Sequence, residues 1–298
     1  MCGSDEALSE PLVSSFSEAA MRFKKVYLEI TNVCNLACAF CPGTARPPRF
    51  MSAGEFAVLA SRVRPYSDYI YFHLMGEPLL HPELPELLGI ADSLGFRVII
   101  TTNGTLLPER GDLLVASSCV HKVNVSLQSF EANSGGELKS YVNQCAAFAE
   151  AMNAAGKLCV LRLWNENGLD ALNGDIESVL AAHFPLPWRP SRQSRALAER
   201  VYLESGEKFD WPDMSANDGG ERVFCYALRD QIGVLVDGTV VPCCLDHDGE
   251  LALGNLFEAD LADILASPRA QAMYDGFTNR TAQEPLCRRC GYSRRFTK

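Results

Sequence analysis

Three cysteines stand close together in the segment Cys34-Asn35-Leu36-Ala37-Cys38-Ala39-Phe40-Cys41, spaced C-x3-C-x2-C. Thiolates are the usual ligands of iron–sulfur clusters, and a cubane held by three of them leaves one iron open to a ligand that is not protein. A structural zinc ion wants four closed ligands, which this segment does not offer. A second set lies toward the C-terminus. Cys225 is followed after twelve residues by Gly238, after four more by Cys243, and later by Cys287 and Cys290 as C-x2-C. Four thiolates of this kind suit either a closed iron–sulfur cluster or a structural zinc ion. Cys244 adjoins Cys243, and the Gly-x4-Cys register favours Cys243 as the ligand. Cys2, Cys119, Cys145 and Cys159 lie at the terminus or in regular elements without partners in sequence, so they read as packing or surface thiols.

The elements that must hold these residues alternate between strand and helix patterns, the mark of βα units around a parallel sheet. The strand patterns are Val26 to Thr31, Tyr69 to Met75, Arg97 to Thr102, Lys122 to Leu127 and Leu158 to Trp164. Helical patterns separate them at Ala53 to Arg64, Pro82 to Leu94, Leu106 to Ser118 and Glu137 to Ala155. Ser52 with Glu55 three residues later predicts a capping box, and Gly95 and Gly156 predict helix ends. A sixth unit is less regular. Pro185, Pro187, Pro190 and the basic run Arg189, Arg192, Arg195 and Arg200 read as a solvated linker before a short strand near Val201 to Leu203. Beyond about Asp210 the alternation ends, and Gln231 to Val236, Asp237-Gly238 and Thr239 to Val241 read as a β-hairpin. The first cysteine trio therefore sits where the first strand ends, and loops at that end of the strands carry the chemistry in barrel folds.

Composition bounds the rest. The 298 residues include 27 Lys and Arg against 37 Asp and Glu, a net charge of −10, so no general basic field is available and bulk nucleic-acid binding is not expected. Hydrophobic residues make up 47%, an ordinary globular share. No run approaches the 18 or so apolar residues of a membrane span. Met1 to Ala20 carries Asp5, Glu6, Glu10 and Glu18 and lacks the pattern of a signal peptide. Twelve cysteines without an export signal point to a reducing, cytoplasmic setting and to metal or redox chemistry.

The trio, with Phe40 just before its last cysteine, resembles the cluster motif of the radical S-adenosylmethionine (SAM) superfamily. Further motifs on successive strand ends support the resemblance. Gly76-Glu77-Pro78 is similar to the family's segment that contacts the methionyl amine, with Met75 in place of the usual first Gly. Thr101-Thr102-Asn103-Gly104 ends the third strand in the family's manner. Ser126-Leu127-Gln128-Ser129 ends the fourth, where the resemblance implies ribose contacts by Ser126 and Gln128. Arg162 on the fifth strand is a candidate clamp for the methionyl carboxylate or a plain barrel arginine. His73 shares a strand face with Tyr69, Tyr71 and Met75; a satisfied structural histidine is the favoured reading and a place near the substrate the alternative.

The second set, Cys225, Cys243, Cys287 and Cys290, resembles the SPASM/twitch extension, with Leu253-Gly254-Asn255-Leu256 at its middle. The further SPASM cysteines are missing, and eight residues follow Cys290, so the shorter twitch form with one auxiliary cluster is expected; zinc remains the alternative. The resemblance implies a partial (β/α)6 barrel over 24–209, a twitch domain over 210–298 and an N-terminal extension over 1–23. It implies SAM and two 4Fe–4S clusters as cofactors, Cys34, Cys38 and Cys41 as ligands of the first, and a reductant such as flavodoxin or ferredoxin. In that family the reduced cluster cleaves SAM to a 5′-deoxyadenosyl radical that abstracts hydrogen from substrate. One auxiliary cluster fits a dehydrogenation of a small molecule. Modification of a ribosomal peptide is less favoured because about 23 residues precede the barrel, and a radical lyase on a modified nucleoside, as in queuosine salvage, has no diagnostic residue here. A non-catalytic electron carrier or zinc-stabilised binding module is the reading from another class.

Overall fold

The computed structural model describes residues 22–133, 136–192 and 194–296, so the expected extension lies almost wholly outside the described residues. The sheet begins with β1 (Lys25–Leu28), β2 (Tyr69–Tyr71), β3 (Arg97–Thr102), β4 (Val120–Ser126) and β5 (Leu158–Glu166). A short antiparallel pair, β6 (Arg189–Ser191) and β7 (Ser194–Ala196), precedes β8 (Val201–Glu207). Strands β9 (Gln231–Val234), β10 (Thr239–Val241) and β11 (Gly254–Asn255) follow. The spatial order is β11-β10-β9-β1-β2-β3-β4-β5-β8-β7-β6. Strands β1, β2, β3, β4, β5 and β8 run parallel, as the βα rhythm demands, and the sheet curls without closing. The expected C-terminal hairpin is present and extends this sheet: β9 pairs parallel with β1, from Lys25 opposite Gln231 to Leu28 opposite Val234.

Helices α1 (Ala53–Val63), α2 (Leu84–Ser93), α3 (Leu107–Ala116), α4 (Leu138–Ala154) and α5 (Asn173–His183) cover the outer face. The capping box forms as expected: Ser52 Oγ accepts from Glu55 N at 3.3 Å, and the Glu55 carboxylate accepts from Ser52 N at 2.9 Å. Alternation along β1 decides the two faces. Val26, Leu28 and Ile30 enter the core beneath the helices, whereas Tyr27 turns inward to meet Leu74, Leu235 and Val241. Three short helices, α6 (Leu261–Leu265), α7 (Pro268–Thr278) and α8 (Pro285–Arg288), complete the C-terminal part.

Two stretches differ from the sequence reading. Helix α5 was not anticipated, because Ile176 and Leu180 are its only buried side chains and two apolar residues make a weak periodic signal. Arg189, Arg192 and Arg200 of the basic run are exposed as expected, but the segment is not a plain linker: β6 and β7 pair within it, and Arg195 makes a forked pair with Glu177 at 2.6 and 2.8 Å while lying over Trp188. Among the described residues no helix is long and apolar enough to cross a membrane.

Candidate active site

The loop leaving β1 carries Cys34, Cys38 and Cys41 as free thiols, partly exposed at the C-terminal end of the parallel strands. Partial burial pushes all three above the ordinary thiol value, and at Cys34 the charges of Cys38 and Cys41 add to it, so the trio shares one local field. A bound metal centre reverses this balance by stabilising thiolate. The loop is held from several sides. Asn103 Nδ2 donates to Asn35 Oδ1 at 2.9 Å and stands 4.0 Å from Cys34 Sγ, while Asn133 Nδ2 donates to Cys38 Sγ at 3.0 Å.

Gly76 shows why the end of β2 has its sequence. Its φ is +74°, and a Cβ there would lie 2.5 Å from Thr31 O and 2.9 Å from Val33 O, so only glycine lets the two chains touch. Glu77 N then donates to Val33 O at 2.8 Å, tying this turn to the cysteine loop. The Glu77 carboxylate is buried and accepts from Asn103 N at 2.7 Å and Leu79 N at 3.0 Å. Burial outweighs these donors and the Thr102 side chain and pushes its pKa up to about 7. A carboxyl so placed fits an ammonium group of a ligand. Pro78 opens the one-turn 3-10 helix that follows. Asn103 is the junction of the site: its carbonyl accepts from Ser129 Oγ at 3.2 Å and Tyr141 Oη at 2.7 Å, and its side chain reaches the cysteine loop.

Ser126 closes β4, opposite Arg162 in register, and Gln128 is buried in the turn beyond with its Oε1 covered and without a partner among the described residues. An orphaned acceptor in the turn beyond β4 fits a polar ligand such as a ribose hydroxyl. Arg162 is largely buried, bonds Glu204 through Nε at 3.3 Å and lies 4.4 Å over the Trp164 ring. Glu204 thus already offsets much of its charge. His73 does not match the favoured reading of a satisfied structural histidine: its Nδ1 is covered and unpartnered, burial drops its pKa to about 3, and the neutral ring stands edge-on to Tyr27 at 5.2 Å.

Cys225, Cys243, Cys287 and Cys290 line one apolar cavity with Leu251 and Leu286. Burial first, then neighbouring thiols, raises Cys243 and Cys287 well above the usual value and Cys225 to about 11. Among the described residues no group of three or more His, Cys, Asp or Glu could hold a single metal ion. Four thiols around one apolar cavity suit a cubane, whose ligands sit on separate irons. Gly238, at φ +86°, is fixed by the Phe257 ring, 2.5 Å from where a Cβ would be. Cys244 turns away from the cavity and packs with Tyr27 and Tyr71 on the inner face of the sheet.

Sequence reasoning missed the residues that join the two cysteine sites. Glu29, fully buried in the segment after β1, accepts from Arg46 Nη1 and Nη2, both at 2.7 Å, from Met75 N at 3.2 Å and from Val236 N at 2.9 Å. Arg46 also donates through Nε to His247 O at 2.9 Å, and Asp248 accepts from Ala45 N at 3.0 Å and from Thr44 Oγ1. Burial pushes the Glu29 carboxyl above the usual carboxylate range, against the forked guanidinium and two backbone donors that pull it down. No local pattern announces such a pair; a lone acid in an apolar strand was the available signal.

A family model of the radical SAM superfamily matches residues 28–174, and one of the SPASM iron–sulfur cluster-binding domain matches residues 225–291. AdoMet-dependent heme synthase of Oleidesulfovibrio alaskensis is 27% identical over 114 residues, 37% of this chain and 29% of that protein. The chain's matches span about a third of the length of the first curated relatives, at 29% and 37%. PqqA peptide cyclase of Xanthomonas euvesicatoria is 26% identical over 307 aligned residues, covering 89% of this chain and 79% of that protein. Among solved structures, BtrN in complex with AdoMet and 2-DOIA superposes with a TM-score of 0.56 at 19% identity, covering 90% of this chain and 92% of that one. Streptococcus suis SuiB bound to S-adenosylmethionine gives 0.59 at 16% identity, covering 93% and 75%.

Proposed function

Since the chain belongs to the radical SAM superfamily, an enzyme superfamily, and carries a SPASM iron–sulfur domain, we propose that it oxidises a small polar molecule by two electrons. Its cofactors are SAM and two 4Fe–4S clusters, which supply, when bound, a 5′-deoxyadenosyl radical and an electron acceptor. Cys34, Cys38 and Cys41 hold the first cluster and Cys225, Cys243, Cys287 and Cys290 the second. Glu77 and the turn carrying Ser126 and Gln128 receive the amine and ribose ends of SAM. Arg162 remains the candidate for its carboxylate, in competition with Glu204.

The observation that carries the reading is the pairing of β9 with β1. It sets Cys244, just beyond β10, against Tyr27 on the inner face of the sheet, while its neighbour Cys243 lines the second cysteine cavity, so that cavity lies beside the interior of the parallel sheet. Loss of a hydrogen atom from a substrate carbinol carbon leaves one electron and the hydroxyl proton still to depart as the carbonyl forms. In this reading the auxiliary site takes that electron. The likeness to BtrN, which was solved with AdoMet and 2-DOIA and matches most of both chains, supports a small polar substrate. A low-potential reductant of the flavodoxin or ferredoxin kind provides the electron that starts each cycle. Peptide modification is the second reading, favoured by the match over most of PqqA peptide cyclase.

The test is Cys287→Ala, assayed anaerobically with a panel of deuterated polyols and amino alcohols and with short peptides. The proposal expects deuterium in 5′-deoxyadenosine from a small-molecule substrate, and formation of its oxidised product to be lost in the variant. Turnover that survives loss of the second cluster overturns the acceptor role, and deuterium transfer from a peptide alone selects the second reading.

A further inference from the structure

Cys38 differs from the other two thiols of its loop in receiving a side-chain donor at close range from another element. Cys34 Sγ accepts from its own neighbour Leu36 N at 3.5 Å and has Asn103 Nδ2 only at 4.0 Å, and Cys41 is reached by the backbone of Gly43. Cys38 Sγ accepts from Asn133 Nδ2 at 3.0 Å. The same amide nitrogen donates to Ser129 O at 2.6 Å, and Asn133 Oδ1 accepts from Ala37 N at 3.0 Å. Ala39 N adds a bond to Ala132 O at 3.3 Å. One carboxamide therefore clamps residues 37 and 38 to the turn beyond β4, the turn that also holds Gln128.

We propose that Asn133 is a positioning residue of the cysteine loop that fixes Cys38 and, through its N–H···S bond, raises the reduction potential of the cluster bound there. The inference rests on Cys34, Cys38 and Cys41 holding a cluster, as proposed above. Added electron density on a reduced cluster spreads onto the ligand sulfurs, so a donor aimed at one of them favours the reduced state. The carboxamide suits this double task because it gives one N–H to sulfur while its oxygen anchors the neighbouring amide. An aspartate keeps the anchor but replaces the donor by a negative charge, whereas an alanine removes the donor without adding charge, so the potential of iron-replete Asn133→Ala reads the donor and the iron content of Asn133→Asp reads the anchor.

The experiment is an anaerobic redox titration of the reconstituted full chain, followed by electron paramagnetic resonance, for the wild type, Asn133→Asp and Asn133→Ala. The cluster of interest is the one whose signal changes on adding SAM. The inference expects both variants to titrate at more negative potential, Asn133→Asp with full iron content. It expects Asn133→Ala either to do the same or to lose iron from this site alone, the auxiliary signal being retained. Equal potentials in all three fully loaded proteins overturn it. A wild type without any SAM-responsive signal overturns the cluster assignment itself, a result distinct from a failure of Asn133.

Discussion

Replacing Glu29 by Gln tests how the two cysteine sites are joined. The carboxylate accepts four hydrogen bonds, two from the Arg46 guanidinium and one each from Met75 N and Val236 N, and is fully buried. Glutamine keeps one acceptor oxygen and turns an NH2 group toward the remaining donors, leaving a largely buried guanidinium without its counter-charge. Removing one partner of a buried ion pair costs about 3–5 kcal/mol, and one stranded backbone donor adds roughly 1 kcal/mol. Against a typical total stability of about 5–15 kcal/mol this is a large fraction. Because Arg46 follows the first cysteine trio and Val236 and His247 flank Cys243 of the second set, both sites should loosen together. Urea unfolding of the cluster-free chain should show the loss in midpoint, and reconstituted Glu29→Gln should bind less iron at both sites. The double variant Glu29→Met, Arg46→Met should recover the ionic share while the Met75 and Val236 amides remain unsatisfied. A Glu29→Gln protein within about 0.5 kcal/mol of wild type, the range of an ordinary surface change, would refute the reasoning.

Other consequences follow from single side chains. The Glu77 carboxyl titrates near 4.5 in an unfolded chain and at about 7 in the folded one, so the folded state binds more protons between those values. Stability of the cluster-free protein should therefore be highest below about pH 4.5 on this account and fall as pH rises through 7, by about 3 kcal/mol at 1.36 kcal/mol per unit. Glu77→Gln should remove that slope relative to wild type in unfolding measured across pH 5 to 8, and an unchanged slope counts against the buried, uncompensated carboxyl. Cys243→Ser should lower iron after reconstitution from about eight to about four per chain, since each cubane holds four, whereas Cys244→Ser should leave it near eight. Iron analysis decides this, and equal losses in both variants would mean that Cys244, not only Cys243, faces the cavity.

The first cysteine spacing and the succession of strands β1 to β5 were legible because each is a local pattern, the Gly76-Glu77-Pro78 turn was legible through the family resemblance, and the second cysteine set left a cluster and zinc both open. The capping box at Ser52 and Glu55 is a local pattern too. What escaped depends on contacts between distant segments. Glu29 meets Arg46 and Val236 across 17 and 207 positions, and Asn133 meets Cys38 across 95, so no window of sequence contains either interaction. Helix α5 escaped for a different reason, since two buried apolar residues suffice when α4 already supplies the wall it leans on. The Arg195 pair with Glu177 shows how a basic run that looks solvated can be folded back on a helix by one well-placed acid.

We propose that Cys34, Cys38 and Cys41 carry a cubane whose fourth iron takes SAM near Glu77. The most direct measurement is the paramagnetic spectrum of the reduced, fully reconstituted chain before and after SAM is added, with 5′-deoxyadenosine assayed in the same tube. A changed spectrum together with 5′-deoxyadenosine, both lost in Cys38→Ala while the auxiliary signal persists, is the predicted result. An unaltered spectrum and intact SAM in iron-replete wild type would contradict it.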